Sequence, residues 1–144
     1  MKGKVELFDS EELQWVNDLA FFRSFMGRVP WMSRFGSGKI KALSFDEETG
    51  AGAYLIDQPE GYDPFQTHAH GGNEYSFILE GELIHNGRVL TPGHYLYFPK
   101  DTEHGPFVPG KGGCVLYTVI DGAFFGKQFI EELMAGGRAS RHRA

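Results

Sequence analysis

Cysteine is nearly missing from this chain: Cys114 is the single one in 144 residues. An internal disulfide, a disulfide framework and a cysteine-rich zinc module are thereby excluded. Long apolar runs are lacking too, and none could span a membrane. The opening MKGKVELFDSEE turns acidic too early for a signal peptide. A cytoplasmic location with no membrane partner is the expectation. Positive charge is short: 14 Lys and Arg stand against 19 Asp and Glu, a net charge of −5. A nucleic-acid footprint is therefore not expected. Helical periodicity occurs in two short stretches, and neither an internal repeat nor a linker is visible.

Glycine, by contrast, is plentiful, with 20 residues. Together with short β-branched and aromatic runs it points to an all-β fold rich in turns. The length favours one domain, large enough to bury a sizeable core.

Asp9 to Met26 carries the first helical pattern. Asp9 and Glu12 have capping-box spacing, and Trp15, Leu19, Phe22 and Met26 form one stripe. Pro30 ends it. Residues 1–36 are thus expected to pack on a barrel or on a partner subunit. Ile40 to Phe45 and Ala51 to Asp57 read as a hairpin, and Tyr75 to Leu79 as a buried strand closed by Gly81. Asn86-Gly87 signals another hairpin. His94 to Phe98 and Cys114 to Ile120 are further strands, with Phe107 to Gly113 as a Gly/Pro-rich loop between them. Cys114 reads as a small buried hydrophobe. Residues 37–126 form the expected barrel. Lys127 to Ala135 has the second helical pattern, stopped by Gly136, and leads into a basic tail ending at 144.

The chemistry is concentrated in GYDPFQTHAHGGNEYSFILEG, Gly61 to Gly81, and in PKDTEH, which ends on His104. Residues i and i+2 of an extended chain share a face, so His68 and His70 can aim two imidazoles at one point. After the Gly71-Gly72-Asn73 turn, Glu74 can add a carboxylate. With His104 these make a four-donor set suited to Fe, Mn, Co, Ni, Cu or Zn rather than to Ca or Mg. An HxH pair by itself is weak, since two surface histidines on a strand look the same. The combined spacings carry the reading.

Those two stretches resemble the paired motifs of the cupin family. GYDPFQTHAHGGNEYSFILEG is similar to the first, with one extra residue after Gly61. GHYLYFPKDTEH is similar to the second, with Asp101 where glycine is usual; Asp tolerates a left-handed turn. The Asn that usually follows the last histidine is replaced by the Gly105-Pro-Phe-Val108 run. Trp31, KIKAL, the DEETG turn, GGNEYSFILEGEL and GGCVLYTV narrow the likeness to a branch. It holds acetylacetone-cleaving and dihydroxyacetophenone dioxygenases and the cupin half of zinc-binding anti-sigma factors.

The resemblance implies a single-domain, jelly-roll-like β-barrel holding one divalent transition metal. Fe(II) is the ion it implies, with Zn, Ni or Mn as alternatives and no organic cofactor. It implies a small diketone or hydroxyketone and dioxygen as partners. In that branch acetylacetone cleavage is associated with three histidines and no carboxylate, whereas this chain keeps Glu74. Glu74 either binds the ion or stands back as a base toward the substrate's C–H. Phe65, Phe77, Tyr97, Phe98, Phe107 and Tyr117 sit on or beside ligand-bearing segments and are pocket candidates, with ordinary barrel core as the plainer alternative for each. Thirteen Phe and six Tyr in so small a chain suggest a homodimer that hides the surplus.

Overall fold

Alternation of inward and outward side chains builds seven antiparallel strands in the computed structural model, which describes residues 3–26, 35–64 and 67–124. In chain order they are β1 (Val16–Asn17), β2 (Lys39–Phe45), β3 (Gly52–Gln58), β4 (Glu74–His85), β5 (Arg88–Leu90), β6 (Tyr95–Phe98) and β7 (Val108–Ile120), with helix α1 (Asp18–Met26) after β1. The order across the sheet is β1-β2-β3-β7-β4-β5, and β6 also pairs with β4. β7, the last strand among the described residues, thus lies between β3 and β4 and joins the two halves of an open, jelly-roll-like sheet. The β4–β5 turn has Asn86 at φ 49° and Gly87 at φ 77°. Positive φ at both central positions is what a two-residue hairpin loop of matching twist requires.

Three expectations are corrected. The helix starts at Asp18, not near Asp9. Ser10–Glu12 is only a 3-10 turn, and Val16 and Asn17 are extended because they pair with Ile40 and Lys39. Asn17 is the working cap: its Oδ1 accepts from Leu19 N at 3.0 Å. Second, β4 does not stop at Gly81. It runs on to His85, with register shifts on either side of Gly81. A Cβ on Gly81 would lie 2.0 Å from Gly113 O, so this glycine permits close passage of β7 rather than ending a strand. Third, Val108 to Gly113 is not a loop but the first half of β7, paired with Leu83 and Ile84. The expected helix over 127–135 and the break at Pro30 lie outside the described residues.

Two apolar clusters fill the interior. Phe21 and Phe22 of α1 pack with Phe35, Ile40, Tyr54, Ile120 and Phe124. The rings meet edge to face, Phe22 lying 5.1 Å from Phe35 and 5.3 Å from Phe124 between centroids. The helix therefore closes one end of the sheet. Ile78, Leu83, Leu90 and Cys114 form the second cluster. Burial pushes the Cys114 thiol up to about 12, which fits an inert packed side chain. The Tyr62 hydroxyl donates to the buried Asp18 carboxylate, whose other oxygen accepts from Gly36 N at 2.7 Å. This pairing ties the loop before the first motif to the start of α1.

Candidate metal centre

Backbone pairing brings the histidines together. His68 and His104 face each other across a two-bond bridge, His68 N to His104 O at 2.9 Å and His104 N to His68 O at 2.8 Å. His70 lies two residues on, so its ring comes to the same side. Its carbonyl accepts from Asp101 N at 2.9 Å. Asp101 has φ 57°, the left-handed turn that its place in the second motif calls for. The ligand atoms of His68, His70 and His104 all lie within 4.8 Å of one another.

Ring orientation follows from the outer nitrogens. His70 Nδ1 is hydrogen-bonded to the Phe124 carbonyl, and His104 Nδ1 to the Thr102 carbonyl at 3.1 Å. A carbonyl only accepts, so each Nδ1 donates, and each Nε2 is the nitrogen left to face the centre. The His68 and His70 Nε2 atoms are 3.2 Å apart. Glu74 Oε1 lies 2.5 Å from His70 Nε2. Its Oε2 accepts from Ser76 Oγ at 2.7 Å, and Ser76 Oγ is 2.8 Å from Thr118 Oγ1. Burial works to raise the Glu74 carboxyl. The His70 hydrogen bond and charge outweigh it, helped by Ser76 and His104, and hold it below its ordinary value. Burial, then the His70 charge, holds the His104 imidazole below its ordinary value. Imidazole nitrogens gathered within 4.8 Å of one another, with a carboxylate held against one of them, are drawn together by a cation or a proton between them. The donors present therefore fit a divalent transition ion.

A cavity of about 90 Å³ opens on this centre. Ile56, Leu83, Leu96, Leu116, Phe98 and Phe107 form its apolar wall. Gln58, Asp63, Ser76 and Thr118 supply polar groups, and among the described residues no lysine or arginine lines it. The turn between His70 and Glu74 is backed by the chain after β7. Gly71 N donates to Ala123 O at 2.9 Å, and Asp121 N to Asn73 O at 3.1 Å. Gly72 and Gly122 cross so closely that a Cβ on Gly72 would sit 2.1 Å from Gly122 N.

The pocket candidates divide by strand parity. Phe98 and Phe107 do line the cavity, and Phe98 stacks on His104 at 4.1 Å. Phe77, Tyr97 and Tyr117 do not: they are exposed on the outer face of the sheet. Glu74, Ser76 and Ile78 take the inward positions of β4, so Phe77 must point out, and its neighbours Tyr95 and Tyr117 with it. Phe65 lies outside the described residues. His85 and His94 stay apart from the centre, bonded to the Pro106 and Thr91 carbonyls. Ser76 was not singled out from sequence, although its place two residues after Glu74 put it on the same face. Gln58, Thr118 and Phe124 arrive through long-range pairing and have no local signal.

A family model described as ChrR Cupin-like domain matches residues 22–123. Solved structures with the same fold include a Nostoc punctiforme protein proposed to be a dioxygenase, with TM-score 0.62 and 19% identity, covering 84% of this chain and 38% of that one. An acetylacetone dioxygenase from Acinetobacter johnsonii aligns with TM-score 0.52 and 19% identity, covering 90% of this chain and 87% of its own. A chain of the Rhodobacter sphaeroides complex of SigE with the anti-sigma ChrR aligns with TM-score 0.53 and 20% identity, covering 77% of this chain and 50% of that one. This chain thus spans well under two thirds of the first and the third. No curated protein sequence matches it. At these identities the likenesses establish the fold.

Proposed function

From the premise that this chain belongs to the ChrR cupin-like domain family, we propose that it is a mononuclear non-haem iron dioxygenase cleaving a C–C bond of a small β-diketone or aromatic hydroxyketone. The observation that carries this reading is the convergence of three imidazole nitrogens, with the Glu74 carboxylate held against the one of His70, on a small and largely apolar cavity that no lysine or arginine lines among the described residues. His68, His70 and His104 would hold the ion, with Glu74 Oε1 as fourth donor. An iron(II) ion held there would supply Lewis acidity and a path for electrons from a chelated enolate to dioxygen.

The remaining work falls to the chain itself. Leu83, Leu96, Leu116, Phe98 and Phe107 exclude water from the bound ketone. Ser76, backed by Thr118, occupies Glu74 Oε2 and leaves Oε1 to face the centre. Among the described residues the cavity offers carboxylates and no ammonium or guanidinium group, so a carboxylate or phosphate substrate would meet no partner there and enter at high cost. A neutral chelating ketone meets no such penalty, and the cavity volume suits a small one.

The test is oxygen uptake by anaerobically iron-loaded protein offered a panel of β-diketones and aromatic hydroxyketones. Uptake matched by acid products supports the reading, and a fully loaded sample that consumes no oxygen with any member refutes it. The second reading is a non-catalytic metal-binding or ligand-sensing cupin, favoured by the likeness to the chain from the SigE complex. A stoichiometric complex with a transcription factor, in protein inert toward the panel, would select it.

A further inference from the structure

The chain enters β4 between two strands, with Glu74 opposite Phe98 of β6 and Ile120 of β7. Both ladders begin at that rung. On the β6 side the next residue is Pro99, which has no N–H to offer. Asn73 carries the pairing past both ends with its side chain. Its Oδ1 accepts from Lys100 N at 2.8 Å, beyond the proline, and from the Tyr97 hydroxyl at 3.3 Å. Its Nδ2 donates to Asp121 Oδ2 at 3.1 Å, and its own N to Asp121 Oδ1 at 2.8 Å. The partners fix which end of the amide is which, since Lys100 N only donates and a carboxylate only accepts. One amide thus joins three segments, at the place where the first motif delivers Glu74 and the second turns toward His104. The other donors have holds of their own. His68 and His104 share the two-bond bridge, and His70 is held by the Phe124 carbonyl and by Asp101 N. Glu74 is anchored at one oxygen by Ser76, which sits on the same strand, so both move with the start of β4.

We propose that Asn73 is a positioning residue of the metal centre: by tying the start of β4 to the Lys100 turn and to Asp121, it holds the Glu74 carboxylate in place as fourth donor beside the three imidazoles. Asn73 does not itself line the cavity, so its effect passes through Glu74. The inference rests on the reading of the centre as a metal site with Glu74 among its donors, and not on dioxygenase chemistry. Loss of the brace leaves the three histidines on their separate holds and frees the carboxylate to drift. The site then binds its ion as a three-histidine centre.

The test is competitive zinc titration of the full chain and its variants. Asn73→Ala and Asp121→Asn should each bind zinc about tenfold more weakly than the wild type. Asp121→Asn is the mild probe, because Asp121 is exposed and the change keeps its shape while leaving one of the two Asn73 donors without an acceptor. The exchange Asn73→Asp with Asp121→Asn reverses donor and acceptor across the same contact and should restore most of the loss, whereas Asn73→Asp alone should not. If Asn73→Ala fails to fold, Asp121→Asn and the exchange decide. A double-mutant cycle reads the route: in a Glu74→Gln background, Asn73→Ala should weaken zinc by no more than about twofold further. The visible spectrum of cobalt(II)-loaded Asn73→Ala should match that of cobalt(II)-loaded Glu74→Gln, a signature that a general loss of stability would not produce. A wild type that takes up no zinc overturns the metal reading and this inference together. A wild type that binds zinc, with Asn73→Ala and Asp121→Asn equal to it or with losses that simply add to that of Glu74→Gln, overturns this inference alone.

Discussion

Replacing Gly72 by alanine tests how the metal centre is braced. The added Cβ would lie 2.1 Å from Gly122 N, 2.4 Å from its Cα and 2.9 Å from its carbonyl carbon, where ordinary contact starts at 3.4 Å. All three are backbone atoms, so no side chain can swing away, and the two segments must part by roughly 1.3 Å. That is enough to break the hydrogen bonds Gly71 N to Ala123 O and Asp121 N to Asn73 O, now 2.9 and 3.1 Å long. At about 1 kcal/mol for each bond, plus about 1–3 kcal/mol of overpacking, Gly72→Ala should cost on the order of 3–5 kcal/mol. A single domain has about 5–15 kcal/mol in all, so the urea midpoint should fall sharply. The same movement takes the Phe124 carbonyl from His70 Nδ1, and loss of such an outer partner weakens metal binding about 10- to 100-fold. Urea denaturation of metal-free protein and competitive zinc titration read the two effects separately. Gly61→Ala is the control: its φ is also unfavourable, at +77°, but its Cβ meets nothing within 4 Å. If Gly72→Ala loses less than about 1 kcal/mol and binds zinc like the wild type, the bracing argument is wrong.

Ser76→Ala should lower zinc affinity about tenfold or more by releasing Glu74 Oε2, and should cost about 1–3 kcal/mol through the unpaired Thr118 hydroxyl; titration and thermal melts check both. Asp18 gives a pH signature. Burial raises its native carboxyl above 3.8, against the hydrogen bonds from Tyr62 and Gly36, so the native state holds that proton longer than the unfolded chain does. Its stabilising contribution is complete below pH 3.8 and is lost as pH rises through the higher native value. The stability difference between wild type and Asp18→Asn should shift in favour of the variant across that window, and urea melts at stepped pH would contradict this if the difference stayed flat. Zinc at a thousandfold excess over its Kd should stabilise the protein by about 4 kcal/mol, and chelation should remove that gain; a melting temperature indifferent to both would count against a metal site.

The centre was legible because its code is local. His68 and His70 share a face by parity, and the spacing to His104 belongs to a turn whose left-handed residue is named by the motif. The second half of β7 and the Asn86-Gly87 hairpin were legible for the same reason. Where a local signal met a tertiary contact, the contact decided. Asp9 with Glu12 has the spacing of a helix start, and the antiparallel contact of Val16–Asn17 with β2 delays the helix to Asp18. Phe77 shows the opposite failure. Its parity relative to Glu74 already placed it outside, but its apolar character suggested a pocket. Gln58, Thr118 and Phe124 come from strands that meet only in the finished sheet, so no window of sequence contains them together.

The bridge between His68 and His104 has a consequence for how such a site can change. Main-chain hydrogen bonds, which any residue but proline can make, hold those two positions opposite each other. The mount therefore survives exchange of what is mounted on it. An aspartate or cysteine at either position would inherit the same station, and the ion's preference could be retuned one donor at a time without rebuilding the wall behind it.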